Sequence, residues 1–300
     1  MKSRREFVKS SFGLAAATLA VHPSLYSAHH EKWFDISLAQ WSLHRAFRGG
    51  DKDAMDFAKI AKSEFGIEAI EYVNQFYMEN FTPKVVNELK KRSKGEGVDN
   101  ALIMCDRLGR LGDPDKAARL KTVDNHKVWA DAAKELDCHS IRVNAGSAGS
   151  YAEQMKLAAD GLSRLGDYGD SIGINVIVEN HGGLSSNGAW LAGVMKLANH
   201  PRVGTLPDFG NFIIDRSTGE SYDRYRGTRE LMPFARGVSA KSHDFDDDGN
   251  EIHTDFKKML SIVKDAGYRG YIGVEYEGRK LGEAEGIRAT KKLLQKLGGR

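Results

Sequence analysis

The chain has 300 residues, of which 28% are charged, and its formal net charge is +3. The whole of that charge comes from five residues near the N-terminus: Lys2, Arg4, Arg5 and Lys9 against Glu6. The rest of the chain is therefore close to neutral. It lacks the basic block that binding to a phosphate backbone needs, so we expect no nucleic-acid partner.

Residues 1–30 have the composition of an export signal. The twin-arginine sequence SRREFVK (3–9) precedes an apolar run over 12–21, which is too short to span a bilayer. We predict a twin-arginine signal over 1–30, a periplasmic or otherwise exported protein, and one domain over 31–300. A frayed amphipathic N-terminus is the alternative, and a membrane becomes a partner only if the signal is retained as an anchor.

Beyond residue 30, eight short β-rich runs alternate with longer helical patterns. The runs are FDISLAQW (34–41), EAIEYV (68–73), NALIMC (100–105), SIRVN (140–144), NVIVEN (175–180), VGTLPD (203–208), GVSAKSH (237–243) and YIGVEY (271–276). The stretches between them carry apolar residues at three- and four-residue spacing. Several end at a glycine just before the next run, as at Gly66, Gly173 and Gly267.

This alternation predicts an α/β protein that forms a single (β/α)8 barrel, the TIM barrel. A doubly wound open sheet is the competing architecture, but it usually carries a glycine-rich phosphate turn after its first strand. The stretch SLHRAFRGGD, which follows the first run here, lacks the spacing of that turn. The sequence beyond residue 30 has no linker or internal repeat that would indicate a second domain.

In such a barrel the C-terminal ends of the strands converge on one face, where active sites lie. Strands five to eight end in Glu179, Asp208, His243 and Glu275. Three carboxylates and an imidazole crowded together would need a cation between them, and this ligand set suits Mn²⁺, Mg²⁺, Co²⁺ or Zn²⁺. The alternative treats each residue as a strand-end cap or a surface charge.

Other polar and aromatic residues near the same strand ends are candidates for substrate binding: Trp41, His44, Glu71, Arg142, His181, Asn211 and Lys241. Each has a structural alternative. Arg142 and Lys241 either grip an anionic or keto substrate or pair with neighbouring carboxylates. His181 either donates to a substrate oxygen or bonds the glycine turn that follows it, and Trp41 either stacks on a sugar or packs between helix and barrel.

The segments VIVENHGG, LPDFGNF, VSAKSHDFD and YIGVEYEG resemble the second half of the xylose isomerase-like TIM barrel superfamily. Members of that superfamily include sugar isomerases, ketose 3-epimerases, inosose dehydratases and an endonuclease family. The resemblance implies one divalent metal held by Glu179, Asp208, His243 and Glu275. It also implies that Glu179 and Glu275 exchange protons with the substrate carbon.

Two positions depart from the epimerase pattern. The epimerases carry a histidine three residues after the strand-six aspartate, where this chain has Asn211. They carry an arginine six residues after the strand-seven histidine, where this chain has Gly249. Because both positions contact substrate in those enzymes, the resemblance implies a substrate other than a plain ketose handled in their manner.

The sequence therefore predicts a metal-dependent sugar or keto-sugar isomerase or epimerase that works through a metal-stabilised enediolate. A lyase or hydrolase that opens 3-keto-glycosides with the same site is the alternative. A non-catalytic sugar-binding barrel and an endonuclease are further alternatives, and near-neutral charge disfavours the last. The expected partner is a small carbohydrate, and a homo-oligomer is left open.

Overall fold

A computed structural model describes residues 32–300. The predicted export signal over 1–30 lies outside these residues. Within them, no helix combines the length and the apolar character that crossing a membrane requires.

The described chain contains ten strands and nine α-helices. The strands are β1 (Asp35–Ala39), β2 (Ala69–Val73), β3 (Asp99–Met104), β4 (Ser140–Val143), β5 (Asn175–Glu179), β6 (Val203–Leu206), β7 (Ile213–Asp215), β8 (Glu220–Ser221), β9 (Val238–Ser242) and β10 (Tyr271–Tyr276). The helices are α1 (His44–Gly49), α2 (Phe57–Phe65), α3 (Pro83–Glu96), α4 (Lys116–Glu135), α5 (Tyr151–Ile172), α6 (Gly188–Ala198), α7 (Arg224–Leu231), α8 (Phe256–Asp265) and α9 (Glu283–Lys296).

Eight of these strands form one parallel sheet in the order β6-β5-β4-β3-β2-β1-β10-β9. Its two outer strands meet through parallel bridges that join Thr205 to Ala235 and Asp208 to Ser239, which close the sheet into a barrel. The remaining strands, β7 and β8, form a short antiparallel hairpin after β6. Each of the eight predicted strands is present, and the prediction of a single (β/α)8 barrel is confirmed.

Local signals at the helix ends explain where the chain turns from helix to strand. At the start of α5 the Ser150 hydroxyl accepts a hydrogen bond from the Glu153 backbone N–H, and the Glu153 carboxylate accepts one from the Ser150 backbone N–H, which forms a capping box. Gly66 and Gly173 follow α2 and α5 with φ of 59° and 83°, a conformation that glycine adopts without strain. These are two of the predicted helix ends.

Alternate residues of the strands belong to two different apolar clusters. Tyr72 and Ile103 pack outward under the helices, whereas their neighbours Val73, Leu102 and Met104 join a smaller cluster inside the barrel. This is the two-residue period expected of strands whose faces are both covered. The inner cluster is completed by Ala39, Ile177 and Leu206, with Trp41 and Phe76 packed against it.

Polar and charged side chains take the place of apolar ones inside the barrel along β9 and β10. Among the described residues, neither strand contributes to the inner apolar cluster. Buried Ser239, Lys241 and Glu275 stand on these strands instead. Burying such groups is costly unless they are paired, so the residues that pair with them are expected to form a polar site inside the barrel.

Candidate active site

Three of the predicted ligands converge at the C-terminal end of the barrel. Glu179 ends β5, Asp208 follows β6 by two residues, and Glu275 lies in β10. One carboxylate oxygen of each lies within 4.8 Å of the others. The three residues are 1%, 0% and 4% exposed, so their charges are withdrawn from water. This buried group is called the carboxylate cluster below.

Two cationic side chains compensate the carboxylate cluster. Lys241 places its Nζ 3.1 Å from Glu275 Oε1 and 4.0 Å from Asp208 Oδ2. Arg142 places its Nε 2.9 Å from Glu179 Oε2. The pairing with carboxylates that the sequence left as an alternative for Arg142 and Lys241 is therefore what the structure shows.

The pKa values in the cluster reflect burial and crowding. Burial raises the pKa of Glu275 well above its usual value, Lys241 opposes this, and the charges of Glu179 and Asp208 add to the rise. Burial likewise raises the pKa of Asp208. Burial alone would lower the pKa of Lys241, but the carboxylates of Asp208, Glu275 and Glu277 raise it well above its usual value.

Backbone and side-chain donors hold Asp208 in place. Its Oδ1 accepts the backbone N–H groups of Gly210 and Asn211, each at 2.8 Å. Its Oδ2 accepts the Ser239 hydroxyl at 2.7 Å, and the same hydroxyl lies 3.2 Å from Glu275 Oε2. The turn after β6 is fixed further by Asn180, whose amide bonds the backbone of Asp208 in both directions.

Asp106 is a member of this network that the sequence analysis missed. Its Oδ1 lies 2.7 Å from Arg142 Nη1 and accepts the Asn144 amide at 2.8 Å. Burial opposes ionisation, but the Arg142 charge and hydrogen bond lower the pKa of Asp106 below its usual value. The available signal was position, because Asp106 directly follows the run at 100–105, where a strand end meets the site.

His243 does not join the carboxylate cluster, which corrects the predicted four-residue ligand set. It follows the last residue of β9, and its half-buried ring packs edge-on against His253 at 5.9 Å. Side chains of β9 alternate between the two faces, and the ones that reach the carboxylates are Ser239 and Lys241. His243 shares the face of these two residues but lies beyond the last residue of β9, so its position along the strand keeps its ring out of the cluster.

Of the predicted substrate contacts, Asn211 touches the carboxylate cluster and Trp41 lies against the inner apolar cluster. Asn211 bridges the carboxylate cluster, since its amide donates to Glu179 Oε1 at 2.8 Å and its carbonyl accepts from Lys241 at 3.3 Å. Trp41 is half-buried over the inner apolar cluster and stacks on His44, with ring centroids 4.9 Å apart. Arg48 covers the Trp41 ring at 4.7 Å.

Glu71 and His181 are placed differently. Glu71 lies mid-strand inside the barrel, is 2% exposed, and accepts the Ser37 hydroxyl at 2.5 Å. A substrate contact is disfavoured by that depth. His181 is exposed, and its backbone N–H donates to Ser185 Oγ at 3.0 Å; both roles predicted for its imidazole stay predictions.

A cleft opens beside β10 at the same end of the barrel. Its volume is about 680 Å³, and its lining includes His44, Arg45, Glu277 and Glu283. Glu277 links the cleft to the cluster because its Oε1 lies 2.8 Å from Lys241 Nζ. A ligand in this cleft would therefore reach the cluster past the Lys241 ammonium.

The residues present fit a divalent cation held by oxygen ligands. Glu179 Oε2 is buried without a hydrogen bond, because the Arg142 N–H near it is not directed along a bonding line. Three carboxylates and the Ser239 hydroxyl are hard ligands of the kind that Mg²⁺ and Mn²⁺ prefer. Without His243, the described cluster offers no imidazole.

The sequence profile of the xylose isomerase-like TIM barrel family matches residues 57–297. The chain belongs to this family. A curated relative, the C-glycoside deglycosidase alpha subunit of Arthrobacter globiformis, is 38% identical over 66 residues. That match covers 21% of this chain and only 19% of the relative, so the two share one segment rather than a whole length.

Solved structures share the barrel over most of their length. The 3-keto-D-glucoside 4-epimerase of E. coli matches with a TM-score of 0.66 and 16% identity over 82% of this chain and 95% of its own. A D-psicose 3-epimerase matches with a TM-score of 0.68 and 14% identity, over 89% of this chain and 100% of its own. A xylose isomerase-like TIM barrel protein of Mycobacterium smegmatis, in complex with magnesium, matches with a TM-score of 0.65 and 17% identity, over 91% of this chain and 99% of its own. At these identities the likeness shows a common fold.

Proposed function

We propose that this protein is a keto-sugar epimerase or isomerase that moves a proton at the carbon beside a carbonyl group, with one divalent cation held by Glu179, Asp208 and Glu275. The observation that carries the proposal is the convergence of these three buried carboxylates. The epimerases that share the fold support the same reaction class. When bound, the cation would polarise the substrate carbonyl and make the adjacent C–H more acidic.

The chain's own residues supply the proton transfer. Glu179 and Glu275 stand on different strands, and in the proposed reaction one removes the proton and the other returns it. Return to the same carbon from the other face gives an epimer, and return to the next carbon gives an isomer.

The surrounding donors would orient the substrate. Asn211 and Lys241 contact the carboxylate cluster from the side of Glu277 and the cleft, where a sugar hydroxyl could replace one of their present partners. Trp41 presents a half-buried ring beside the inner apolar cluster, and a pyranose could stack on it. These contacts are part of the proposal.

A lyase acting on 3-keto-glycosides is the second candidate, and the segment shared with the deglycosidase subunit favours it. Removal of the proton at C2 of such a sugar places the electron pair next to the C1–aglycone bond. That bond breaks, a C1–C2 double bond forms, and the aglycone leaves with a proton. Removal of the proton at C4 of the same sugar leads to epimerisation, so the orientation of one substrate separates the two reactions.

Deuterium incorporation tests the proposal. Purified protein supplied with Mn²⁺ or Mg²⁺ is incubated in D2O with a 3-keto-glucoside and, separately, with free ketoses, and the sugars are followed by NMR. Deuterium at C4 without release of the aglycone supports the epimerase. Release of the aglycone supports the lyase. Absence of both deuterium in the sugar and aglycone release in every incubation rejects both reactions.

We further propose that the protein acts on its carbohydrate outside the cytoplasm after export by the twin-arginine route. The sequence SRREFVK and the apolar run after it support this. Cell fractionation with an antibody against the protein checks it, and a full-length chain found only in the cytosol would reject it. The absence of a nucleic-acid partner stays a prediction, and self-association is left open.

A further inference from the structure

Lys241 brings a protein cation to the carboxylates that would hold the divalent ion. Its Nζ lies 3.1 Å from Glu275 Oε1 and 4.0 Å from Asp208 Oδ2, and the side chain is 4% exposed. Two of the three carboxylates are therefore already partners of an ammonium group. Any cation that used the same oxygens would have to share them with Lys241 or replace it.

We propose that Lys241 is a resident cation of the carboxylate cluster, which keeps the metal-free site folded and competes with the divalent ion for Glu275 and Asp208. This inference rests on the metal site of the proposed function. It concerns the affinity and selectivity of that site rather than the reaction.

The first part of the proposal follows from the charges. Arg142 is committed to Glu179 and Asp106, which lie on the other side of the site. Without Lys241, Glu275 and Asp208 would keep only hydroxyl and backbone donors. Breaking a buried ion pair by removing one member leaves an uncompensated charge, which is strongly destabilising. In the metal-free protein, Lys241 therefore supplies the positive charge that compensates Glu275 and Asp208.

The second part follows from the remaining contacts of the ammonium. Lys241 Nζ also lies 2.8 Å from Glu277 Oε1 and 3.3 Å from Asn211 Oδ1. Neither of these atoms belongs to the carboxylate cluster, and the side chain of Glu277 is 30% exposed. Lys241 can therefore give up Glu275 and still keep an anionic and a neutral partner. Displacement costs less than it would for an ammonium with no second partner.

The test compares Lys241→Met with Lys280→Met. Lys280 is 70% exposed and pairs with Asp244 at 3.5 Å, so its replacement removes the same charge near the same end of the barrel without touching the cluster. Mn²⁺ affinity is measured by electron paramagnetic resonance and calorimetry, and Tm is measured in EDTA and in excess Mn²⁺.

Lys241→Met should bind Mn²⁺ about tenfold more tightly than the wild type, or tighter still, because a competing charge near 4 Å is gone. Its Tm in EDTA should fall by about 5 °C or more and should recover in Mn²⁺, since a bound ligand stabilises the folded state. The wild type and Lys280→Met should show weak Mn²⁺ binding and little change of Tm between the two buffers.

Equal or weaker Mn²⁺ binding by Lys241→Met, or no Mn²⁺ binding by either protein, overturns the proposal. Should Lys241→Met fail to fold even with Mn²⁺, wild-type crystals soaked in MnCl2 decide instead. The expected result is Mn²⁺ on the carboxylates with Lys241 Nζ moved from Glu275 to Glu277. An ammonium still on Glu275, or no bound Mn²⁺, overturns it. These are binding results, so a failure of the proposed reaction in the deuterium experiment leaves them unaffected.

Discussion

The two ends of the barrel handle charge in opposite ways. At the C-terminal end, carboxylates and two cations are buried together, and Glu179 Oε2, Arg142 Nε and Asn144 Oδ1 lack a hydrogen-bond partner. At the N-terminal end, Arg300 forms a two-pronged pair with Asp35, with N–O distances of 2.5 and 3.1 Å. That pair is partly in water, with side-chain exposures of 61% and 37%.

Concavity does not distinguish these two ends. A cleft of about 540 Å³ lies at the N-terminal end and is lined by charged side chains that include Asp35, Asp99 and Arg300. Its polar groups bond one another, as Tyr271 does with Asp99 at 3.1 Å. None of the buried side-chain atoms that lack a partner among the described residues belongs to the lining of this cleft, whereas three of them surround the carboxylate cluster, where a ligand could complete them. The two clefts therefore differ in whether buried polar atoms beside them lack partners, and not in volume.

The largest effect should come from Glu275→Gln, which would remove the proposed catalytic activity at the C-terminal end of the barrel. The amide cannot cycle a proton, so we expect turnover of the sugar to fall by about 10²- to 10⁴-fold. Glu179→Gln should behave alike, and deuterium exchange into the sugar measures both. Asp248→Asn, on the exposed loop after β9, is the charge-matched control and should keep wild-type turnover. Unchanged exchange in both glutamine variants would contradict the proposed roles.

The next effect concerns stability at the same end. Arg142→Met leaves the buried Glu179 and the partly buried Asp106 without their shared cation. We expect the free energy of unfolding to fall by about 3–5 kcal/mol, measured by urea denaturation. A loss below about 1 kcal/mol would mean that the buried pairs contribute no more than surface pairs do.

Glu71 should make stability depend on pH. Burial raises its pKa to about 7 from an ordinary value of 4.5; the Ser37 hydroxyl opposes the rise, Glu179 adds to it and Arg142 opposes it. The folded state holds this proton more tightly, so the stabilisation is complete below pH 4.5 and is lost as pH rises through about 7.

Glu71→Gln carries no titrating proton, so relative to the wild type it should gain on the order of 1–3 kcal/mol between pH 4.5 and pH 8. Urea denaturation of both proteins at these two pH values measures the gain. A difference between the two proteins that stays constant with pH would show that Glu71 does not titrate in this range.

The smallest effect should come from the N-terminal end. Arg300→Ala removes the exposed pair with Asp35, and such pairs contribute about 0–1 kcal/mol. We expect a loss of stability in that range and no change in turnover, measured by the same two assays. A loss as large as that of Arg142→Met would remove the contrast between the two ends.

Much of the fold could be predicted from local pattern. Apolar spacing and glycine positions located all eight barrel strands, because period and turn chemistry are encoded by neighbouring residues. The carboxylate cluster was also predictable, since the parallel strands of a barrel bring their C-terminal ends to one face. Asp106 escaped notice because it stands one residue beyond its strand, outside the segments that resemble the family.

The errors and omissions at the site share one cause. His243 was assigned from a resemblance along strand seven, but it lies beyond the last residue of β9, and Ser239 and Lys241, earlier on the same face, are the residues that meet the carboxylates. Ser239 and Asn180 gave no signal, because a serine or an asparagine becomes informative only when its partner is known.

The sequence by itself determined the barrel, its strand order along the chain and the three carboxylates at its mouth, because these depend on periodicity and on a topology that leaves few choices. The tertiary structure alone decided which cations lie among those carboxylates. The reason is that an ion pair depends on distances of a few ångströms between strands far apart in sequence, and no local pattern records those distances.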